Sequence, residues 1–490
     1  MLPYNNLIHL DRKAATPVYL QLTNELVKLI QNGQLSASAK LPSSRTFAEL
    51  FQLNRNTVTK SLEELEALGW VIIKPKKGTF VVNTFPIVKP NSWTKKGEVS
   101  NLETTKQFEF YDFPHLKLPR AFNPNFGFDD GLPDVRLAPI DELARGYARN
   151  VRQLAFENDL SYKKGFGNLD LRQQLVKMLN ETRGLNIKVD NILITRGTIM
   201  AIHLAAAASI RKGDKVIIGE TNYQTANMVV EHLGGELVRV PVDKKGIQVA
   251  KIREICKKQA IRAIYVTSHH HHPTTVTLSP ERRLQLLEMA KAYNFVILED
   301  DYDYDFHFGN SPVLPLASGD VKDRVLYFGS FTKIIAPAFR VGYLVGPARL
   351  IRELPKLRRT FDRQGDNVLE KTIADLIIDG TIRRHLKKSW RHYKERRDFF
   401  CMLLKRELGD LVEFQQPTGG MAVWVKFDNR ISIPQVSKQL MQKGIFFSDG
   451  SNYNPPHQDL NSVRMGFAAM NLEEIERCIG VLKEVILESN

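Results

Sequence analysis

Three short stretches in the second half of the chain hold side chains that can bind and tune a reactive aldehyde. Lys333, in Gly-Ser-Phe-Thr-Lys, offers a primary amine for a Schiff base. Asp300 and Tyr302, in Glu-Asp-Asp-Tyr, add an anion and a phenol. Ser330 and Arg340 bracket the lysine as phosphate ligands would. Pyridoxal phosphate needs these four partners: an amine, an anion at its ring nitrogen, a phenol near its ring oxygen, and hydroxyls or cations around its phosphate.

The elements that must position these residues are short apolar runs, typical of buried strands, that alternate with helical patterns after Phe126. The runs are Ile192–Thr195, Val216–Ile218, Ile264–Thr267, Phe295–Leu298 and Val325–Phe328. Ligands of α/β sheets bind beyond the carboxyl ends of the strands, where the residues named above lie. Gly197 and Thr198 open a helix after the first run and can offer backbone amides and a hydroxyl to a phosphate. The pattern predicts an α/β domain built around a cofactor site.

Two stretches also admit a metal site. The acidic run Glu-Asp-Asp-Tyr-Asp-Tyr-Asp begins at Glu299, and four histidines occupy positions 269–272. Successive residues on a loop cannot all converge on one ion, and Lys333 gives the acidic run a different role. The three cysteines, Cys256, Cys401 and Cys478, are too widely separated for a zinc ribbon and predict free thiols. We therefore expect no metal.

Length and composition limit the classes of protein that the chain can belong to. At 490 residues the chain is expected to form at least two domains. No apolar stretch approaches the roughly 18 residues of a membrane span, and the start of the chain does not resemble a secretory signal, so we expect a soluble, cytoplasmic protein. The formal charge of +15 suits a polyanionic partner, although charge alone does not establish one.

The first 83 residues predict a small module of three helices and a hairpin. A helix after Pro17 carries an apolar face and stops near Gly33. A second begins at Pro42-Ser43-Ser44, and Asn54 can cap the third. The expected inward residues are Leu22, Leu26, Leu29 and Ile30, then Phe47, Leu50 and Phe51, then Val58, Leu62, Leu65 and Leu68. Two short β patterns then flank a basic, glycine-containing turn at residues 74–78.

Three helices and a basic hairpin predict a winged helix-turn-helix, in which one helix enters the major groove and the wing meets the DNA backbone. A small helical packing domain with ordinary surface charge is the alternative on pattern alone. The expected DNA-binding residues are Ser44, Arg45, Arg55, Asn56, Thr57, Lys60, Lys77 and Gly78. We predict a DNA-binding domain over residues 10–83, a linker over 84–121, and a large domain over 122–490.

The amino-terminal stretch resembles the DNA-binding domain of GntR-family regulators. The similarity runs through Pro17-Val18-Tyr19, Leu41–Arg45, Asn54–Val58 and Gly78–Val81. It implies that Arg45, Arg55, Thr57 and Gly78 are positions that contact DNA. Asn54 stands where the family usually has serine, which exchanges one helix-capping residue for another.

The large domain resembles fold-type I aminotransferases, and the two parts together resemble the MocR/GabR subfamily of regulators. This resemblance implies that Lys333 forms the Schiff base with pyridoxal phosphate, with Asp300 at the ring nitrogen and Tyr302 at the ring oxygen. It also implies further roles: Tyr223 over the ring; Gly197, Thr198, Ser330 and Arg340 around the phosphate; His272 near the ring oxygen; Tyr162 from a neighbouring subunit; and Arg464 on an effector carboxylate. The chain is then expected to be a homodimer.

Three functions remain open at this point. The first is a pyridoxal phosphate-dependent regulator that binds double-stranded operator DNA and senses an amino compound or the cofactor itself. The second is a working aminotransferase with an accessory DNA-binding module, and the third is a nucleic-acid-binding protein without cofactor. His272 replaces a frequent asparagine and Thr275 a frequent glycine of the family loop, while Thr225 replaces an arginine of some GABA-responsive members.

Overall fold

The structure, a computed structural model, describes residues 2–83, 110–113, 116, 126–157, 159–309, 313–320 and 323–489. Most of the predicted linker over 84–121 lies outside these residues, as does the predicted start of the large domain at 122. The chain divides into two compact units, Met1–Phe110 and Tyr111–Asn490. Each unit is therefore described by itself.

The amino-terminal unit contains the predicted three helices and hairpin, preceded by one short helix. Its elements are α1 (Tyr4–Leu7), α2 (Val18–Gln31), α3 (Ser44–Phe51), α4 (Arg55–Ala67), β1 (Val71–Lys74) and β2 (Gly78–Val81). Ser43 caps α3 by accepting a hydrogen bond from the Thr46 backbone amide, and Asn54 caps α4 through the amide of Asn56. The strands β1 and β2 pair antiparallel, so that Lys74 lies opposite Gly78 at the turn of the wing.

The core of this unit follows the helical stripes expected from the sequence, with two exceptions. Tyr4 of α1 packs edge-on against Phe47 of α3, with ring centroids 5.2 Å apart. Thr23 of α2 and Ser61 of α4 share a buried hydrogen bond of 2.9 Å. Leu50 and Leu68 were expected inside but are 40% and 56% exposed. Both lie at the end of a helix, beyond the part of its apolar face that neighbouring helices cover.

The large unit contains fourteen strands within the described residues. They are β3 (Gly127–Phe128), β4 (Ile192–Thr195), β5 (Lys215–Gly219), β6 (Glu236–Val240), β7 (Val242–Asp243), β8 (Gly246–Ile247), β9 (Ala263–Val266), β10 (Val296–Asp300), β11 (Val325–Ser330), β12 (Gly342–Val345), β13 (Val412–Phe414), β14 (Ala422–Phe427), β15 (Phe446–Phe447) and β16 (Ser462–Gly466). The five predicted runs correspond to β4, β5, β9, β10 and β11 with small shifts at their ends.

A seven-stranded sheet organises the large unit, with the order β4-β12-β11-β10-β9-β5-β6. The pairs β11–β10, β10–β9, β9–β5 and β5–β6 are parallel, whereas β12 runs antiparallel to both of its neighbours. Asp300 ends β10 and Ser330 ends β11, so the predicted site residues lie at the carboxyl edge. This is the edge at which α/β sheets bind ligands.

Eleven helices of the large unit lie within the described residues. They are α5 (Ile140–Phe156), α6 (Leu169–Arg183), α7 (Thr198–Ser209), α8 (Gln224–His232), α9 (Val249–Lys258), α10 (Pro280–Ala292), α11 (Ala348–Arg358), α12 (Asn367–Ile378), α13 (Thr381–Leu408), α14 (Ile433–Gln442) and α15 (Leu472–Ser489). Short 3-10 turns occur at Val135–Leu137, Val189–Asn191, Leu316–Gly319, Pro337–Phe339, Gly409–Leu411 and Ser451–Tyr453. No helix among the described residues is long and apolar enough to cross a membrane.

Alternate residues along the central strands enter different cores, as the two-residue period of a strand requires. In β11, Leu326 and Phe328 pack with α7 and α11, whereas Tyr327 packs with α6 and α12 on the opposite face. A separate antiparallel sheet, β13-β14-β16, packs on the long helices α13 and α15. That small sheet matters for function because β16 carries Arg464.

Candidate functional site

Lys333 lies in the loop that follows β11, close to the backbone at Gly131. Its Nζ donates a hydrogen bond of 2.5 Å to the carbonyl oxygen of Gly131 and lies 5.8 Å from the centroid of the Tyr302 ring. Desolvation lowers the pKa of Lys333 below its ordinary value, and the positive charge of Arg464 acts in the same direction. A lowered pKa favours the unprotonated amine, which is the form that attacks an aldehyde.

Asp300 is buried at the end of β10 with one carboxylate oxygen unpaired. The hydroxyl of Tyr265 donates to Oδ2 at 2.7 Å, while Oδ1 has no hydrogen-bond partner among the described residues. Burial raises the pKa of Asp300 to about 7, and the negative charges of Asp301 and Asp303 add to the effect. A buried carboxylate oxygen without a donor is the complement of a protonated ring nitrogen.

Of the residues predicted to bind the phosphate, Gly197, Thr198 and Arg340 lie together at the amino terminus of α7. Gly197 has φ +80°, and a Cβ placed on it would lie 2.7 Å from Nη2 of Arg340. That guanidinium donates a hydrogen bond of 3.1 Å to the carbonyl oxygen of Arg196. Thr198 is the first residue of the helix, and Ser330 ends the strand β11. A helix amino terminus beside an arginine and hydroxyl groups is a suitable anion site.

Aromatic side chains define the part of the site expected to face the cofactor ring. Tyr223 directly precedes α8, and its ring centroid is 5.3 Å from that of His272 at an interplanar angle of 72°. His272 Nε2 lies 3.0 Å from the carboxylate of Asp130. The hydroxyl of Tyr302 donates to the carbonyl oxygen of His270 at 3.0 Å. Together with the residues predicted to bind a phosphate and the unpaired Oδ1 of Asp300, these side chains fit pyridoxal phosphate.

Arg464 is 1% exposed and already bonded on all three nitrogens. Its Nε lies 3.2 Å from Oδ1 of Asp130, Nη1 donates to the carbonyl oxygen of Pro273 at 3.1 Å, and Nη2 donates to the Tyr302 hydroxyl at 3.4 Å. The sequence did not point to Asp130. Its proximity to the site appears only in the folded chain, where the carbonyl oxygen of the next residue, Gly131, accepts the hydrogen bond from Lys333. Arg464 therefore lies where an effector carboxylate was predicted but carries an internal carboxylate as its partner.

The four consecutive histidines turn to four different acceptors. His269 donates to the carbonyl oxygen of Val313, His270 to Asp303, His271 to the carbonyl oxygen of Thr221, and His272 to Asp130. Burial lowers the pKa of His271 to about 4. No group of three or more His, Cys, Asp or Glu side chains that could hold a metal was found in the described part of the chain.

Two further residues of this region have structural features that the sequence did not reveal. Thr275 has φ +63°, in the left-handed region, at the position where its family usually has glycine. Tyr162 is 67% exposed, and the Arg363 guanidinium lies 3.8 Å from its ring centroid. The predicted role of Tyr162 needs a second subunit and stays a prediction.

Most of the predicted DNA-binding residues lie on the surface of the amino-terminal unit. Arg45, Arg55, Asn56, Lys60 and Lys77 are exposed, and Ser44, Thr57 and Gly78 are partly exposed. Arg45 pairs weakly with Glu49 at 3.5 Å, and Arg55 Nε donates to the Ser44 hydroxyl at 3.4 Å. Lys60 Nζ lies 4.1 Å from the centroid of the Tyr19 ring. Each cation thus has at most weak competition from this unit for an external anion.

Comparisons with known proteins agree with both halves of this description. Residues 128–482 match the family described as aminotransferase class I and II, and residues 18–81 match the bacterial regulatory proteins of the gntR family. The chain is 26% identical to the probable rhizopine catabolism regulatory protein MocR of Rhizobium meliloti, across 98% of this chain and 95% of that protein. It is 27% identical to the HTH-type transcriptional regulator YisV of Bacillus subtilis (strain 168), across 97% of each.

Solved structures resemble the large unit. The kynurenine aminotransferase of Pyrococcus horikoshii, solved with PMP, has a TM-score of 0.67 at 27% identity and covers 73% of this chain and 89% of its own. An archaeal alanine:glyoxylate aminotransferase has a TM-score of 0.69 at 25% identity and covers 74% and 91%. The chain therefore belongs to the class I and II aminotransferase family, whose fold implies pyridoxal phosphate, and its GntR module makes it a regulator of the MocR/GabR-like type.

Proposed function

We propose that this protein is a pyridoxal phosphate-dependent transcriptional regulator. Its large unit senses an amino compound, or the cofactor itself, at Lys333, and thereby controls how the amino-terminal unit binds operator DNA. A ligand can act in this way only if it binds one regulatory state more tightly than the other. We further propose that the protein acts in the cytoplasm as a homodimer, which would present two DNA-binding modules to a pair of half-sites.

The observation that carries the proposal is a set of cofactor-binding side chains in the same chain as a DNA-binding module. Oδ1 of Asp300 has no hydrogen-bond donor among the described residues, and the pKa of the Lys333 amine is lowered. When bound, pyridoxal phosphate supplies an aldehyde that reacts reversibly with primary amines. Lys333 would hold that group, Asp300 would keep its ring nitrogen protonated, and Arg340 would bind its phosphate beside the α7 amino terminus.

The proposed DNA contacts divide into two kinds. Arg55, Asn56 and Thr57 open α4, the helix expected in the major groove, while Lys77 and Gly78 form the turn of the wing. A wing of this kind contacts the backbone, whereas the start of the helix reads base edges. Sequence preference is therefore expected to depend on α4, and the salt dependence of binding on cations of both elements.

Footprinting of the DNA upstream of the protein's own gene, with and without pyridoxal phosphate, tests the proposal. Specific protection that changes on adding the cofactor is expected. Lys333→Ala should abolish both the visible absorbance of the bound cofactor and its effect on DNA, whereas Lys426→Ala removes an exposed lysine and should change neither. Absence of specific DNA binding in either state would refute the regulator. A cofactor effect that survives in Lys333→Ala would refute sensing at that residue.

A working aminotransferase is the second candidate, favoured by the assembled Lys333, Asp300 and Tyr302. It predicts steady production of keto acid from an amino donor at ordinary enzymatic rates, without sequence-specific DNA binding. Multiple-turnover assays on the full chain, with Lys333→Ala as the blank, distinguish the two candidates.

A further inference from the structure

The carboxylate of Asp130 lies in the cofactor site beside Arg464. Arg464 is the residue predicted to bind the carboxylate of a ligand. Its Oδ1 lies 3.2 Å from Nε of Arg464, and its Oδ2 lies 3.0 Å from Nε2 of His272. The hydroxyl of Tyr453 donates a third bond, of 3.2 Å, to Oδ1. Three side chains from separate parts of the chain therefore converge on one carboxylate, which remains 48% exposed.

The backbone around Asp130 holds the carboxylate in this place. The preceding residue, Asp129, is buried, and its Oδ1 accepts hydrogen bonds from the amides of Gly131 at 2.6 Å and Leu132 at 2.8 Å. The amide of Gly466 donates to the Asp129 carbonyl oxygen at 2.7 Å. Because Gly466 ends β16, the strand that carries Arg464, the segment bearing Asp130 is fixed to the strand bearing its partner.

The pairing leaves Arg464 little capacity for another carboxylate. Its other two nitrogens already donate to Pro273 and Tyr302, and the side chain is 1% exposed. An incoming carboxylate would have to displace Asp130, which would keep His272 as a partner but lose its pairing with Arg464. The exchange gains no charge pair, because one carboxylate replaces another, and it costs the desolvation of the incoming ion.

The local charges also favour a cationic ligand. Burial lowers the pKa of Lys333 overall, and Arg464 acts in the same direction, but the negative charges of Asp130, Asp129 and Asp303 oppose this effect. With Asp130 and Arg464 paired, an ammonium group that enters beside Lys333 meets the remaining negative charge of Asp129 and Asp303. In a ligand with both an ammonium group and a carboxylate, the site attracts the ammonium group but has no unoccupied partner for the carboxylate.

We propose that Asp130 sets the ligand class of the Lys333 site by occupying Arg464, so that the site takes primary amines without a carboxylate and discriminates against amino acids. This inference rests on the proposed sensing function and names its ligand class. Asp130 is a specificity-determining residue, and Arg464 becomes a carboxylate-binding residue only when Asp130 loses its charge.

The test uses the full chain loaded with pyridoxal phosphate and a pair of ligands that differ by one carboxylate, propylamine and 2-aminobutyrate. Dissociation constants come from the change in the visible absorbance of the cofactor. Propionate, which has no amine, is titrated separately by calorimetry. The proteins are wild type, Asp130→Asn, Asp130→Ala and Asp130→Asn/Arg464→Gln. Asp428→Asn is the matched control, because it removes the carboxylate of an Asp–Arg pair at the surface, 2.9 Å from Arg430.

Wild type should bind propylamine about tenfold more tightly than 2-aminobutyrate. This is the effect expected when the carboxylate of 2-aminobutyrate finds no charged hydrogen-bond partner in the site. Asp130→Asn should reverse or abolish that preference and bind propionate about tenfold more tightly than wild type does. Both gains should disappear in the double variant and be absent in Asp428→Asn. Asp130→Ala serves as the second variant if Asp130→Asn does not fold.

Two results would overturn the proposal: a wild-type preference for 2-aminobutyrate, or the same ligand preference and propionate affinity in wild type and both Asp130 variants. Failure of the proposed function looks different. In that case neither amine changes the absorbance of any variant, while the propionate affinity still rises in Asp130→Asn and supports the role of Asp130.

Discussion

Asp300, the residue proposed to face the ring nitrogen of the cofactor, is expected to destabilise the cofactor-free fold, and Asp300→Asn separates the two effects. The carboxyl has an ordinary pKa of 3.8 and a pKa of about 7 in the folded protein, chiefly because it is buried and then because of Asp301 and Asp303. Folding therefore favours the protonated form. The stability contributed by this group is fully present below pH 3.8 and is lost as the pH rises through about 7.

The size of the effect follows from the two pKa values. Their difference, at about 1.4 kcal/mol for each pKa unit, corresponds to ~4 kcal/mol of lost stability above neutral pH. Asparagine has nearly the same shape, cannot ionise, and can still accept the hydrogen bond from Tyr265. Cofactor-free Asp300→Asn is therefore expected to be more stable than wild type at pH 8, by up to ~4 kcal/mol, with most of the gain absent near pH 4.

Thermal unfolding of the cofactor-free full chain, followed by circular dichroism between pH 4 and pH 8, measures this gain. With pyridoxal phosphate added, the order should reverse, because only the wild-type carboxylate can pair with a protonated ring nitrogen. Asp428→Asn, at an exposed site, should show no gain at pH 8. The reasoning is refuted if Asp300→Asn is no more stable than wild type at pH 8, or if its advantage is the same at both ends of the pH range.

Three further predictions concern the phosphate end, the DNA-binding surface and the core of the small unit. Gly197→Ala should lower the free energy of unfolding by about 1–2 kcal/mol, because alanine is strained at the positive φ of this position. It should also weaken cofactor binding, because the new Cβ would meet Arg340. Cofactor titration of Gly197→Ala and of Gly213→Ala, whose site has φ +85° and open space, separates the two effects. Arg55→Ala should weaken operator binding and lower the salt dependence of that binding by about one phosphate contact. Gel shifts at several salt concentrations measure both effects. Lys28→Ala, which removes a lysine paired with Glu25, should change neither the affinity nor its salt dependence. Thr23→Val should destabilise the amino-terminal unit by about 1–3 kcal/mol, because it leaves buried Ser61 without its hydroxyl partner, and an unchanged unfolding midpoint would contradict that account.

Local patterns were reliable where the physical cause is local. The buried faces of α2 and α4 repeat every three to four residues, and β4 is bounded by the residues that the sequence indicated. Leu50 and Leu68 fit the same periodicity and yet are exposed, because periodicity locates a face of a helix but not how far a neighbouring helix covers it.

The histidine run shows a second limit of the sequence. Four adjacent imidazoles suggest a shared ligand, but the backbone directs them to four separate acceptors. Which acceptor each imidazole meets depends on strands and loops far away in the chain, such as Asp303 for His270 and Thr221 for His271.

By itself the sequence determined that a GntR-type module precedes a class I and II aminotransferase domain, and it predicted that Lys333, Asp300 and Arg340 hold the cofactor. Those roles depend on side-chain type and on position at strand ends, which a sequence displays directly. Only the tertiary structure decided that Asp130 occupies Arg464, 334 residues away, and that burial raises the pKa of Asp300 to about 7. Charge pairing and desolvation act through space, so they are fixed only when distant segments are folded together.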